Sequence, residues 1–143
     1  MTNVTLVSAI TIEGLHYYAL IKGSNNQWTF ARFMMMLNER LTKENPRWKR
    51  KCYILLDNAT IHKTPHMNKV IMDNDIPVKF CAPGSFDAIP IESIFGSVKR
   101  RYTKIMAQKM ERCQKNGTLG QRGKRQELMV ESIEAAVATV DKE

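Results

Sequence analysis

The chain has 143 residues, of which 43% are hydrophobic and 25% are charged, a composition that excludes a disordered or fibrous chain and is typical of one globular domain. No apolar run approaches the roughly 20 residues of a membrane-spanning helix, and the first residues do not resemble a secretion signal. We therefore expect an intracellular protein, in the nucleus of a eukaryote or the cytoplasm of a bacterium. The three cysteines are far apart in sequence, which predicts buried thiols and excludes a zinc site or disulfide framework.

The net charge of +8 comes from one segment of the chain. Residues 92–125 contain ten lysines and arginines but only two acids, whereas the remainder has twelve residues of each sign. Such a concentration favours binding to the phosphates of a nucleic acid, although a solvated helix face has the same pattern. The candidate phosphate-binding residues are Lys99, Arg100, Arg101, Lys104, Arg122, Lys124 and Arg125.

The first part of the chain predicts a β-hairpin followed by a helix. Residues 4–12 and 15–22 are rich in β-branched and apolar side chains, which predicts two strands. Between them Glu13-Gly14 is typical of a hairpin turn, because glycine adopts the positive φ that such turns require. Apolar positions at helical spacing then predict a helix over residues 26–43, capped by the polar cluster at 24–26.

The middle of the chain predicts a strand, a helix and a second strand. Residues 52–56 are a continuous apolar run, which predicts a fully buried strand with Asp57 at its end. Thr64-Pro65 predicts the start of a short helix that ends near Asn74, because proline is well tolerated at the first helical position. Residues 77–81 predict another strand.

The last part of the chain predicts two helices. Apolar residues spaced by three and four predict a helix from Pro90 to about Cys113. Several glycines among polar residues predict a mobile loop over about 115–125, and a second amphipathic helix is predicted over about 126–141. We expect all of these elements to form one partial α/β domain over residues 1–143.

Asp57 and Glu92 are the candidate catalytic acids, separated by 34 residues. A carboxylate at the end of a buried strand lies where open α/β sheets bind their ligands. A carboxylate in the first turn of a helix is favoured in its ionised form by the helix dipole. Such acids bind the divalent ions that assist phosphodiester cleavage, although a helix cap or a surface charge is the alternative for either acid alone.

The residues around both acids resemble the motifs of mariner-type DDE transposases. Residues 53–63, YILLDNATIHK, resemble the second-aspartate motif, in which Asp-Asn ends a strand and a histidine follows. Residues 81–92, CAPGSFDAIPIE, resemble the third-acid motif of that family. They agree with it at Pro83, Ser85, Asp87, Pro90, Ile91 and Glu92, and the separation of the two acids is also characteristic.

This resemblance implies a ribonuclease-H-like α/β fold, with a mixed five-stranded sheet flanked by helices. It implies that Asp57 and Glu92 bind Mg²⁺ or Mn²⁺, and that His62 lies close to the active site. Asn58 is expected to orient Asp57 or contact a metal-bound water, with a role in stabilising the turn as the alternative. DNA is the expected partner, and RNA is a further possibility.

The resemblance begins one strand after the family's first strand, which carries the first catalytic aspartate. The acids before Asp57 are Glu13, Glu39 and Glu44, and none of them is predicted to lie in a central strand. We therefore expect an N-terminally truncated domain that is inactive as an isolated chain. A sheet that lacks a central strand has unpaired backbone groups, so we expect another polypeptide, a second copy or an upstream segment to complete it.

Three functions remain open on the sequence. The first is the core of a DNA endonuclease and strand-transferase, and the second is a domesticated, non-catalytic component of a nucleic-acid or protein assembly that binds through its basic helix. The third is an unrelated small α/β binding protein.

Overall fold

The computed structural model of the protein describes residues 3–11, 14–81 and 91–140. Contacts divide the chain into two compact units: Met1–Ser24 with Ile89–Glu143 is the hairpin unit, and Asn25–Ala88 is the parallel-sheet unit. The hairpin unit contains β1 (Val4–Thr11), β2 (Gly14–Lys22), α3 (Ile91–Lys115) and α4 (Lys124–Val140). The parallel-sheet unit contains α1 (Gln27–Glu44), β3 (Ile54–Leu56), α2 (Pro65–Asp73), β4 (Val78–Phe80) and two 3-10 helices, Trp48–Arg50 and Thr60–His62.

The hairpin pairs β1 with β2 in antiparallel register, with Leu6 opposite Leu20. A bulge at Ala9 and Ile10 shifts the register, so that Thr11 lies opposite Gly14. The prediction of Glu13-Gly14 as the turn was therefore wrong for Gly14, which is the first residue of β2. Glu13 itself lies outside the described residues.

One face of the hairpin packs on the two helices of its unit. Val98 of α3 and Ile133, Ala136 and Val137 of α4 form the buried core of this contact. Alternate hairpin residues pack against this core, since every second side chain of a strand points to the same face: Val4, Leu6, Tyr18 and Leu20. Burial of these apolar side chains is the main stabilising contribution in this unit.

Helix α3 ends in a hydrogen-bonded cap that requires glycine. The N–H of Thr118 donates to the carbonyl of Cys113, and the N–H of Gly117 donates to the carbonyl of Gln114. Gly117 has a φ of 68°, the left-handed conformation that a side chain disfavours. This cap ends the helix two residues beyond the predicted end at Cys113.

The helices of the parallel-sheet unit begin where the sequence predicted. The side chain of Asn26 accepts hydrogen bonds from the N–H groups of Trp28 and Thr29, which caps α1. The side chain of Thr64 caps α2, with Pro65 at its first position. The helices contribute buried residues to one core, among them Met34 and Met67, which are 1% and 0% exposed.

Strands β3 and β4 pair in parallel, with Ile54 opposite Val78 and Leu56 opposite Phe80. The prediction of a fully buried strand was wrong, because Leu56 is buried whereas Leu55 is 47% exposed. The physical reason is that, within the described part of the chain, β3 has β4 as its single strand neighbour. An apolar run in the sequence does not report how many neighbours a strand has.

The cysteines also differ from their prediction. All three are free thiols, but Cys52 is exposed and Cys81 and Cys113 are partly exposed. Each lies just outside a strand or near the end of a helix, where packing is less complete than the apolar flanking residues suggest. None of the helices in the described ranges is long and apolar enough to cross a membrane.

Candidate active site

Asp57 directly follows β3, and its carboxylate is held in place by two contacts. Oδ1 accepts a hydrogen bond of 2.9 Å from the N–H of Ala59, and it lies 2.9 Å from Nδ1 of His62. The side chain of Asp57 is 50% exposed, and no hydrogen bond or ion pair reaches Oδ2 from the residues that the structure describes. Asp57 is therefore an oriented carboxylate with one oxygen available to a ligand.

His62 closes the 3-10 helix that follows Asp57, and its ring lies against the ring of Phe30. The two ring centroids are 4.2 Å apart with an interplanar angle of 28°. Phe30 belongs to the buried face of α1, and the side chain of His62 is only 13% exposed. Stacking on a buried phenyl ring fixes the imidazole plane, so that Nδ1 is directed at Asp57. The structure thus brings together two of the predicted site residues.

Asn58 does not contact the carboxylate of Asp57. Its Nδ2 donates a hydrogen bond of 2.5 Å to the carbonyl of Cys81, which follows β4. The side-chain contact that stabilises the turn is made by Asp57 itself, through Ala59. Asn58 instead connects the ends of the two parallel strands, and this fixes the direction in which the chain leaves β3.

Glu92 is the second residue of α3 and lies in its first turn, as predicted. Its side chain, like residues 82–90 of the third-acid motif, lies outside the described residues. Asp57 belongs to the parallel-sheet unit and Glu92 to the hairpin unit. Where side chains are described, no three acids, histidines or cysteines form a cluster that could hold a metal ion.

The predicted phosphate-binding residues lie on α3, in the turn before α4, which contains Arg122, and at the start of α4. Those that are exposed are Lys99, Arg100, Lys104, Arg122 and Arg125, whereas Arg101 and Lys124 are partly buried. The guanidinium of Arg100 donates to the hydroxyl of Ser97, and the ammonium of Lys124 lies 3.7 Å from the carboxylate of Glu127. Because Val98 of α3 is buried in the core, the exposed lysines and arginines of this helix occupy its solvent face.

The residue that sequence reasoning missed is Phe30. The helical pattern identified it only as a core position, and no local signal connects it with His62, which lies 32 residues later. A second ring contact joins α1 to α2, since the ring centroids of Trp28 and His66 are 4.2 Å apart with an interplanar angle of 46°. The start of α1 therefore packs against the 3-10 helix that ends at His62 and, separately, against α2.

Comparison with known proteins identifies the family. The family model described as DDE superfamily endonuclease matches residues 1–114. No curated protein matches the chain.

Among solved structures, the chain is similar to the Mos1 transposase catalytic domain with Raltegravir and Mg, and to the same domain with Raltegravir and Mn. For each of these the identity is 17% and the TM-score 0.60, with 98% of this chain and 76% of the other covered. A third similar structure is the catalytic domain of the Mos1 mariner transposase, at 16% identity and a TM-score of 0.58, with 96% and 74% of the chains covered.

These matches confirm the predicted resemblance and fold class. The family model covers most of the chain, including both motifs. The structural similarity extends over nearly all of it. The chain belongs to the DDE superfamily endonuclease family, and its ribonuclease-H-like fold is that of a mariner transposase catalytic domain.

Proposed function

We propose that this transposase-derived endonuclease core cuts and joins DNA strands with divalent metal ions bound by Asp57 and Glu92. The geometry of Asp57 is the observation that carries the proposal. Its Oδ1 atom is occupied by Ala59 and His62, while Oδ2 belongs to a half-exposed carboxylate and is available to a ligand.

Mg²⁺ or Mn²⁺ is the proposed cofactor. Two of the similar Mos1 structures are described with Mg and with Mn. The donor chemistry of this chain fits these ions, because both prefer carboxylate oxygens, and Asp57 offers one in a fixed orientation. When bound, such ions stabilise charge on the attacking and leaving oxygens of the phosphodiester.

His62 and Asn58 are proposed to position this site. His62 holds Oδ1 of Asp57 and is itself held by Phe30, so it restricts the carboxylate to one orientation. Outer contacts of this type commonly raise metal affinity, because the ligand then loses less freedom on binding. Asn58 fixes the ends of β3 and β4 relative to each other.

The proposed contacts with DNA lie on α3 and the start of α4. Exposed lysines and arginines such as Lys99, Arg100 and Lys104 provide charge for phosphates. RNA offers the same phosphate chemistry, but DNA is the substrate that membership of a transposase-like family favours. With DNA as substrate, the protein would act in the nucleus of a eukaryote or the cytoplasm of a bacterium.

A further strand is proposed to complete the sheet at β3. Ile54 and Leu56 bond to the residues that flank β4: the N–H of Ile54 donates to the carbonyl of Pro77, and the carbonyl of Leu56 accepts from the N–H of Cys81. The N–H and carbonyl groups of Leu55 must then point to the edge of β3 opposite β4, since these groups alternate in direction along a strand. Unpaired backbone at such an edge is a site for another strand.

That strand is proposed to come from an upstream segment, another polypeptide or a second copy, and to bring a third carboxylate. The acids of α1 do not suit this role, because Glu39 and Glu44 are exposed on the helix and Glu44 is paired with Arg40 at 3.2 Å. We expect the isolated chain to bind a metal weakly and to leave DNA intact.

Binding of Mn²⁺ to the chain, measured by electron paramagnetic resonance, tests the metal site. Asp57→Asn and Glu92→Gln should each abolish specific binding, whereas the control Asp73→Asn, at the end of α2, should not change it. Binding that survives both substitutions would contradict the proposal.

Nicking of a DNA duplex provides the second test. We expect metal-dependent nicking only when a segment with a third carboxylate is supplied, and we expect Asp57→Asn to abolish it. Salt-dependent DNA binding without any metal binding would instead favour the non-catalytic, domesticated function.

A further inference from the structure

A second concentration of positive charge lies between α1 and β3, far in sequence from the lysines and arginines of α3. Four of the five residues from Arg47 to Lys51 are lysine or arginine, and no acid occurs between Glu44 and Asp57. We call residues 47–51 the basic turn. Glu44 does not neutralise it, because its carboxylate pairs with Arg40.

Two side chains of the basic turn contact the rest of the unit, and the other three are exposed cations. Trp48 is 5% exposed, and its indole N–H donates to the hydroxyl of Thr42 at 3.1 Å. The ammonium of Lys49 donates to the carbonyl of Asn74 at 2.6 Å. Two side chains thus attach the turn to the rest of the unit.

The other three side chains, Arg47, Arg50 and Lys51, are exposed, and none forms an ion pair with any residue that the structure describes. The backbone that carries them is ordered by hydrogen bonds from Arg50 to Arg47 and from Lys51 to Trp48. A solvated loop would not require such anchoring. An ordered turn that presents three unpaired cations is instead suited to an anion with several charges at fixed spacing.

We propose that the basic turn binds the sugar-phosphate backbone of duplex DNA beside the bond that is cut. The three exposed cations occur together on one short turn, which fits adjacent phosphates. The one aromatic residue of the turn, Trp48, is buried, so no ring is available for stacking with an unpaired base. Arginine and lysine at phosphates give affinity without reading the base sequence. The surface therefore adds to the contacts proposed for α3.

The separation in sequence between the basic turn and Asp57 limits how far the contacted phosphates can lie from the bond that is cut. Lys51 precedes Asp57 by six residues, and β3 lies between them. At roughly 3.3 Å per extended residue, this places the turn up to about 20 Å from the carboxylate. Since DNA rises about 3.4 Å per base pair, the contacted phosphates lie within about six base pairs of the cut. This distance rests on the proposed role of Asp57 at the cleavage site.

The experiment compares two triple variants of the whole chain in binding a 30-base-pair duplex at several salt concentrations. One carries Arg47→Gln, Arg50→Gln and Lys51→Gln, and the matched control carries Arg32→Gln, Lys43→Gln and Lys69→Gln, three exposed cations of the same unit. Each contacted phosphate contributes about 0.9 to the slope of log K against log salt. We expect the magnitude of this negative slope to decrease by about 2 to 3 in the first variant and to remain nearly unchanged in the second.

Equal losses in the two variants would overturn the proposal, because they would show an effect of net charge alone. A larger loss with duplex RNA or with anionic vesicles than with duplex DNA would also overturn it. Ethylation interference should place the affected phosphates within about six base pairs of the nick. Asp57→Asn separates this proposal from the metal site, because it should remove metal binding and leave the salt slope of the chain unchanged.

Discussion

The Nδ1 atom of His62 lies 2.9 Å from the Oδ1 atom of Asp57. The contact occupies Oδ1 and leaves Oδ2 available. The histidine therefore restrains the carboxylate without blocking the oxygen that is proposed to bind the metal. The same Nδ1 atom lies 3.4 Å from the main-chain carbonyl of Asp57. The short 3-10 helix that ends at His62 makes this approach possible.

Replacing His62 with alanine should weaken Mn²⁺ binding. The carboxylate of Asp57 would lose its orienting contact, and outer contacts of this kind are typically worth about 10- to 100-fold in affinity. A titration of Mn²⁺ followed by electron paramagnetic resonance measures the change. His66→Ala is the matched control, because His66 belongs to the neighbouring helix and contacts Trp28. Equal affinities in the two variants would contradict the positioning role.

Replacing Phe30 with leucine should change the surroundings of the His62 ring, although the two residues are far apart in sequence. The phenyl ring at 4.2 Å shields the imidazole protons of His62, so their NMR signals should move downfield when the ring is removed. We also expect the variant to lose about 1–3 kcal/mol of unfolding free energy, as is common for changes in a core. Leu37→Val is the control, since Leu37 is 3% exposed on the same helix. If the His62 signals move as much in the control, the stacking contact does not position the ring.

Replacing Gly117 with alanine should destabilise the end of α3. A Cβ atom at this position would meet nothing within 4 Å, so the cost comes from the backbone φ of 68° alone. Left-handed backbone costs about 1–2 kcal/mol for a residue with a side chain. Gly120→Ala is the control, because Gly120 also has open space but no positive φ. Urea unfolding should show a loss in the first variant and none in the second.

Replacing Ala136 with leucine should disrupt the core of the hairpin unit. Ala136 is fully buried against Val98 and Ile133, so the larger side chain forces neighbours apart at a cost of about 1–3 kcal/mol. Ala138→Leu places the same side chain on the exposed side of α4 and should be nearly neutral. Thermal unfolding compares the two, and an equal melting temperature would show that α4 does not pack as described.

Local features of this protein were predictable from its sequence. The caps at Asn26 and Thr64 use side chains within three residues of the backbone groups that they bind. The contact of Asp57 with His62 also spans only five residues, so one motif contains both partners. Short-range geometry leaves few alternatives, and for this reason the family motif and its chemistry were recognisable before the fold was known.

Only the tertiary structure decided the contacts between distant segments. Three features depend on which elements pack together: the stacking of Phe30 on His62, the hydrogen bond from Asn58 to the carbonyl of Cys81, and the exposure of Leu55. Hydrophobic pattern alone marks a side chain as suited to burial, but it does not identify its neighbour or the number of strands beside it. The sequence thus determined which acids are candidates for chemistry and which neighbours hold Asp57, and the packing decided how the His62 ring beside it is supported.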